Sequence, residues 1–109
     1  MIKELIVDTL SPLKIPVSFQ HYVGDEDTYI TYFGYLEQTE LSYDDEEKVI
    51  GHYIQVNIYS KKSYSELEKE VKKLMKTAGF IRKPSGFEYF EPETKIYQKS
   101  FRFFYAENF

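Results

Sequence analysis

Residues 49–60, VIGHYIQVNIYS, constrain the fold more than any other part of the chain. Ile54, Val56 and Ile58 alternate with Tyr53, Gln55, Asn57 and Tyr59, and a strict period of two suits an extended strand and not a helix. The aliphatic set must face a core, which turns the Tyr53–Tyr59 set to the opposite side. That opposite side is half tyrosine and half amide. Tyrosine has an apolar body and a polar tip, so it suits a surface that is dry only part of the time. The whole chain repeats this bias: it holds 11 Tyr and 9 Phe, no Trp, and more Tyr than Leu.

The surrounding segments read as partners for this strand. Residues 2–11 place Ile2, Leu5, Ile6 and Leu10 on one helical stripe that Pro12 stops. Residues 15–22 alternate around Val17 and Phe19, and Pro16 assigns them to a strand start or a sheet edge. Residues 28–37 form a second strand, with Ile30, Tyr32 and Leu36 on one side and Tyr29, Thr31, Phe33 and Tyr35 on the other. Residues 38–47 read as a polar, acidic connection. Residues 65–78 form the clearest helix, with Leu67, Val71, Leu74, Met75 and Ala78 as its buried stripe. Ser65 with Glu68 (or Ser63 with Glu66) suggests a capping box, Glu68 and Lys72 a favourable i,i+4 pair, and Gly79 a left-handed cap. Residues 80–92 read as a short hairpin-like excursion through Pro84, Gly86 and Pro92. Residues 95–105 then make a last strand, with Tyr97, Phe101, Phe103 and Tyr105 on one face and Ile96, Gln98, Ser100, Arg102 and Phe104 on the other.

These elements predict a single α+β domain over residues 1–109, in the order α-β-β-β-α-β-β. A mostly antiparallel sheet of four to five strands would carry both helices on one face. The outward set Tyr29, Phe33, Tyr35, Tyr53, Gln55, Asn57 and Tyr59 then needs its own explanation. It is either an interface for a protein partner, or a second face covered by the N-terminal helix and the 80–92 excursion. Both readings stand at this level.

Several chemistries lack their residues. Without cysteine there is no disulfide framework, thiolate nucleophile or cysteine zinc site, which fits a reducing compartment. The first residues carry Glu4 and Asp8 and do not read as a signal peptide, and no apolar run is long enough to cross a bilayer. A soluble intracellular protein is expected. The net charge of −4 disfavours phosphate-backbone binding. The lysines of 65–78 alternate with Glu66, Glu68 and Glu70, as on a solvated helix face, so no sequence-specific nucleic-acid partner is expected. His21 and His52 have no triad neighbours, the serines fall in strands, caps or turns, and the five glycines make no phosphate loop. The chain is expected not to be an enzyme and to use no cofactor.

The acidic run Asp44, Asp45, Glu46 and Glu47 has three readings. With Asp25, Glu26 and Asp27 it offers oxygen ligands for calcium or magnesium, yet it lacks calcium-loop spacing and a turn glycine. By default it is a solvated loop. The third reading is a mobile, negatively charged assembly loop that steers or rejects a partner.

The segments IPVSFQHYVGDEDTYITYFGYLEQ, DDEEKVIGHYIQVNIYSKKSYSELEKEVKKLMKTAGF and ETKIYQKSFRFFY, in this order, resemble small tail proteins of phages and prophages of Gram-positive bacteria. The family is that of tail terminator, tail-completion or minor tail proteins. The likeness spans nearly the whole chain and consists of fold patterns rather than an active-site signature. It implies a structural subunit that forms a ring with copies of itself, usually a hexamer, on the last disc of the tail tube. Such a ring stops tube growth and faces the head connector proteins. It implies assembly in the host cytoplasm, residence in the virion tail, and no catalytic residues. A head–tail connector completion protein and a small acidic-loop metal- or ligand-binding module are the alternatives.

Overall fold

In the computed structural model, which describes residues 2–43 and 47–108, helix α1 spans Ile2–Leu10 and a 3-10 turn follows at Ser11–Leu13. Ile6 and Leu10 are fully buried, with Ile2 and Leu5 packed beside them, as the helical stripe requires. Pro12 sits early in the 3-10 turn, where its missing N–H costs nothing, and Lys14 leaves it with φ 58°. Helix α2 spans Ser65–Thr77 and buries Val71 and Met75, while Leu67, Leu74 and Ala78 pack at the margin of the core.

The two ends of α2 differ. The expected capping box does not form, because Ser65 already lies inside the helix and Tyr64 holds the cap position without a side-chain cap bond. The Glu68 carboxylate accepts from Lys72 Nζ at 2.8 Å instead. At the other end the cap is built as expected. Gly79 adopts φ +101°, its N–H donates to the Lys76 carbonyl, and the Phe80 N–H donates to the Met75 carbonyl. This double bond pattern is a Schellman motif, and the residues it joins, Phe80 and Met75, are both buried.

Among the described residues, strands β1 (Val17–Phe19), β2 (Thr28–Tyr43), β3 (Glu47–Ser60), β4 (Ile81–Glu91) and β5 (Ile96–Asn108) form one sheet in the order β1-β2-β3-β5-β4. β1 runs parallel to β2 and the other neighbours are antiparallel. The architecture is thus α+β, with two helices on a mostly antiparallel sheet. Ile30, Tyr32, Ile54, Val56, Ile58, Phe101 and Phe103 line the core face, and both helices pack on it.

Three segments depart from the sequence reading. Residues 38–43 and 47–48 are strand rather than an acidic connection: β2 and β3 stay paired as far as Tyr43 and Glu47. The polar composition of this stretch hid strand formers such as Thr39 and Tyr43, and backbone pairing between β2 and β3 continues the ladder that begins at Thr28 and Ser60. Glu47 is therefore a strand residue, while Asp44, Asp45 and Glu46 lie outside the described residues. Residues 81–91 form edge strand β4 rather than an excursion. A register shift between Lys83 and Gly86 takes up Pro84, as an edge strand permits. A Cβ on Gly86 would lie 2.4 Å from the Ser100 carbonyl oxygen, so the close pairing there requires glycine. Finally, a bulge at Tyr35 shifts the phase of β2, so Leu36 pairs with Tyr53 and leaves the core face to which period two assigned it.

Candidate functional site

The face of the sheet opposite the helices carries the expected partner residues. Tyr29 pairs with Tyr59, Thr31 with Asn57 and Phe33 with Gln55; across the next strand pair, Tyr53 meets Phe104 and Asn57 meets Ser100. Neither expected cover lies there. α1 packs on the core face, and residues 81–91 lengthen the sheet instead of folding over it. β4 adds two aromatics that the sequence reading left in a loop: Phe87, opposite Ser100 and 48% exposed, and Tyr89, opposite Gln98 and 52% exposed. Their alternation in FEYFE was the available signal.

The middle of this face is dry although no helix covers it. Asn57 Nδ2 donates to Thr31 Oγ1 at 3.1 Å, and Asn57 Oδ1 accepts from Ser100 Oγ at 2.6 Å and from Gln55 Nε2 at 2.8 Å. Gln55 Oε1 in turn accepts from Arg102 Nε at 3.1 Å, and the Arg102 guanidinium lies 4.6 Å from the Tyr35 ring centroid. Thr31, Gln55, Asn57 and Ser100 are all buried beneath taller neighbours. Gln55 and Asn57 thus brace three strands from inside and do not present themselves to a partner. Every buried side-chain N or O among the described residues has a hydrogen-bond partner.

Aromatic clusters flank this polar stripe at both ends. Tyr22 stacks on Tyr29 with ring centroids 4.4 Å apart, and Tyr29 stacks on Tyr59 at 4.8 Å. Burial, then the nearby Tyr59, Glu91 and Tyr22, push the Tyr29 hydroxyl pKa above the usual tyrosine value. At the other end Tyr53 contacts Tyr35 at 6.0 Å and Phe104 at 5.0 Å. This arrangement can bind a surface through ring stacking and hydroxyl hydrogen bonds.

A second feature is the arm formed by the distal parts of β2 and β3. Among the described residues, β5 accompanies β3 as far as the Val49–Asn108 pair, and beyond it Ser42–Lys48 and Tyr43–Glu47 continue the β2–β3 pairing. The molecule measures 53 × 24 × 24 Å. His52, at the arm's base, is buried and bridges two strands. Its Nε2 lies 2.8 Å from Glu107 Oε1 and its Nδ1 3.5 Å from Glu37 Oε2. The carboxylates occupy opposite edges of the ring, so the histidine links β2, β3 and β5 rather than opening toward a substrate.

The remaining candidates stay apart. His21 is exposed in the loop before β2, and Asp27 lies 3.6 Å from Lys61 Nζ. Among the described residues no group of three or more His, Asp or Glu side chains converges as a metal site, and no helix is long and apolar enough to cross a membrane.

No protein-family model matches the chain, and no curated protein sequence matches it. Among solved structures, it is similar to a chain in the virion of a native gene transfer agent particle. The TM-score is 0.57 and the identity 10%, over 90% of this chain and 82% of that one. At that identity the likeness speaks for a shared fold.

Proposed function

We propose that this protein is a structural subunit of a phage-like virion, and that copies of it form a ring capping the tail tube where it joins the head. The observation that carries the reading is the fold shared with a virion chain over nine-tenths of this chain. Two physical features support it. Among the described residues no helix lies over the aromatic face of Tyr29, Phe33, Tyr35, Tyr53, Tyr59, Phe87 and Tyr89, which suits burial against another subunit. The outer edges of β4 and distal β2 pair with no further strand among the described residues, which suits strand addition by a neighbour.

In this reading the polar stripe holds the face in shape while the aromatics make contact. Ring closure uses head-to-tail contacts between unlike surfaces, the arrangement from which cyclic assemblies are built. The partners are further copies of the chain, the tail-tube protein and the head connector proteins.

The test is to mix the protein with its cognate tail-tube protein and image the tubes by electron microscopy. Added density at one tube end is expected, together with an arrest of tube growth. Tube ends that stay bare would overturn the reading, and capture by portal complexes alone would move the subunit to the connector.

A further inference from the structure

The open face of the sheet changes character along its strands. The row Phe87–Ser100–Asn57–Thr31 crosses its middle. One row to one side stand Lys83 and Arg102, and beyond them Ile81 beside Phe104. One row to the other side stand Tyr89 and Gln98, and beyond them Glu91 beside Ile96. Successive side chains of a strand alternate between faces, so all these rows project from the same side.

Charge divides along the same line. Lys83 and Arg102 have no carboxylate partner among the described residues. Lys83 Nζ lies 5.8 Å from the Tyr53 ring centroid and 5.9 Å from that of Phe104. At the opposite end Tyr29, Tyr59, Tyr89, Glu91, Ile96 and Gln98 line a cup of about 210 Å³. Thr94 Oγ1 donates to the Glu91 carboxylate at 3.1 Å, and no cation among the described residues pairs with it. Asp25, Glu26 and Asp27 border the same end beside Tyr29 and Ile96, where Lys61 meets Asp27. Tyrosine rings gathered around one carboxylate suit a cation, which gains from the ring faces and from the charge together.

The spacing makes the two ends of the face complementary. On β5, Arg102 and Gln98 each stand two residues from Ser100, in opposite directions. A two-fold axis along the Phe87–Ser100 row, lying between two copies, therefore sets Lys83 of one over Tyr89 of the other and Arg102 over Gln98. Glu91 lies one row further, about 7 Å along the strand at about 3.3 Å per residue, within reach of a lysine side chain. The same axis sets Phe104 over Ile96 and brings the two exposed Phe87 rings together.

We propose that two copies of the chain pair through their open faces about this axis, each placing Lys83 in the tyrosine cup of the other. The inference goes beyond the ring reading. A two-fold contact uses one patch twice and closes at two copies, so it cannot build a ring. It keeps the aromatic face covered until a tail end competes for it. Burial of Phe87 and Tyr89 holds the pair, and the charges set its direction.

The test is sedimentation of the full chain over a concentration series. One-chain and two-chain species are expected, and nothing larger. Lys83→Glu and Glu91→Lys each set like charges against one another in both contacts of the pair, and each should weaken dimerisation at least about tenfold. An equal mixture of the two variants should restore the dimer, because every contact in the mixed pair again joins opposite charges. Phe87→Asp, which opposes two carboxylates on the axis, gives an independent disruption, and circular dichroism checks that each variant is folded. A single chain at every concentration would overturn the proposal, as would species larger than two. Dimers that no variant weakens, or that the mixture fails to restore, would overturn it as well. Tube imaging reads the tail assignment separately. Capped tubes from a chain that never pairs sink the pairing alone, and dimers with bare tubes sink the tail assignment alone.

Discussion

Val56 and Asn57 are neighbours in sequence, lie on opposite faces of one sheet, and are both almost inaccessible to water. Val56 is dry because two helices cover it. Asn57 is dry because Thr31, Gln55 and Ser100 bind it and taller aromatic side chains stand around it. The helix face therefore derives its stability from apolar area and tight packing. The open face derives its stability from hydrogen bonds that exclude water without a covering layer, so its flanking rings stay available. A sheet made this way can be firm on the side it exposes.

Substitutions on the two faces should behave differently. Phe101→Ala removes a fully buried ring beneath the helices and should lower the free energy of unfolding by about 3–5 kcal/mol, read from urea denaturation. A loss as small as that of an exposed site would erase the contrast. Asn57→Ala leaves the buried Gln55 amide and Ser100 hydroxyl each short of a partner, at about 1–3 kcal/mol for such a group. Its distinctive consequence is faster amide hydrogen exchange in the centre of β2, β3 and β5, whereas Phe101→Ala should act first on the contacts with α2.

Alkaline pH sharpens the contrast further. Burial raises the pKa of Tyr32, with a contribution from Glu4, and burial with Tyr59, Glu91 and Tyr22 raises that of Tyr29. A hydroxyl whose folded pKa lies above its unfolded value near 10 stabilises the fold fully below pH 10, and that stability is lost as the pH rises through the folded value. Unfolding midpoints in urea should fall above pH 10. Tyr29→Phe should flatten part of that fall on the open face, and an unchanged slope would remove Tyr29 from the account. The smallest effect belongs to the exposed rings of β4. Phe87→Ser and Tyr89→Ser should each change stability by no more than about 0.5 kcal/mol, yet reduce tube-end capping in electron micrographs. Undiminished capping would show that these two rings make no contact in the assembly.

How far the sequence could be read depended on where side-chain periodicity carried the information. The faces of β3 and β5 were legible because Ile54, Val56 and Ile58, and Phe101 and Phe103, alternate without interruption. Gly79 was legible because a left-handed residue after a helical stripe favours glycine. Leu36 was not, since a bulge changes the phase of a strand and leaves no mark in the alternation. The polar arm was missed because composition alone separates poorly a loop from a strand whose partner supplies its hydrogen bonds.

By itself, the amino-acid order determined two amphipathic helices, a set of alternating strands and a surplus of tyrosine. Those are local properties, set by spacing along the chain. Only the tertiary structure decided that both helices take the same face, that Gln55 and Asn57 turn inward to one another, and that Phe80 meets Phe103 edge to face. Each of these depends on residues distant in sequence arriving at one place, and strand order and register alone specify that.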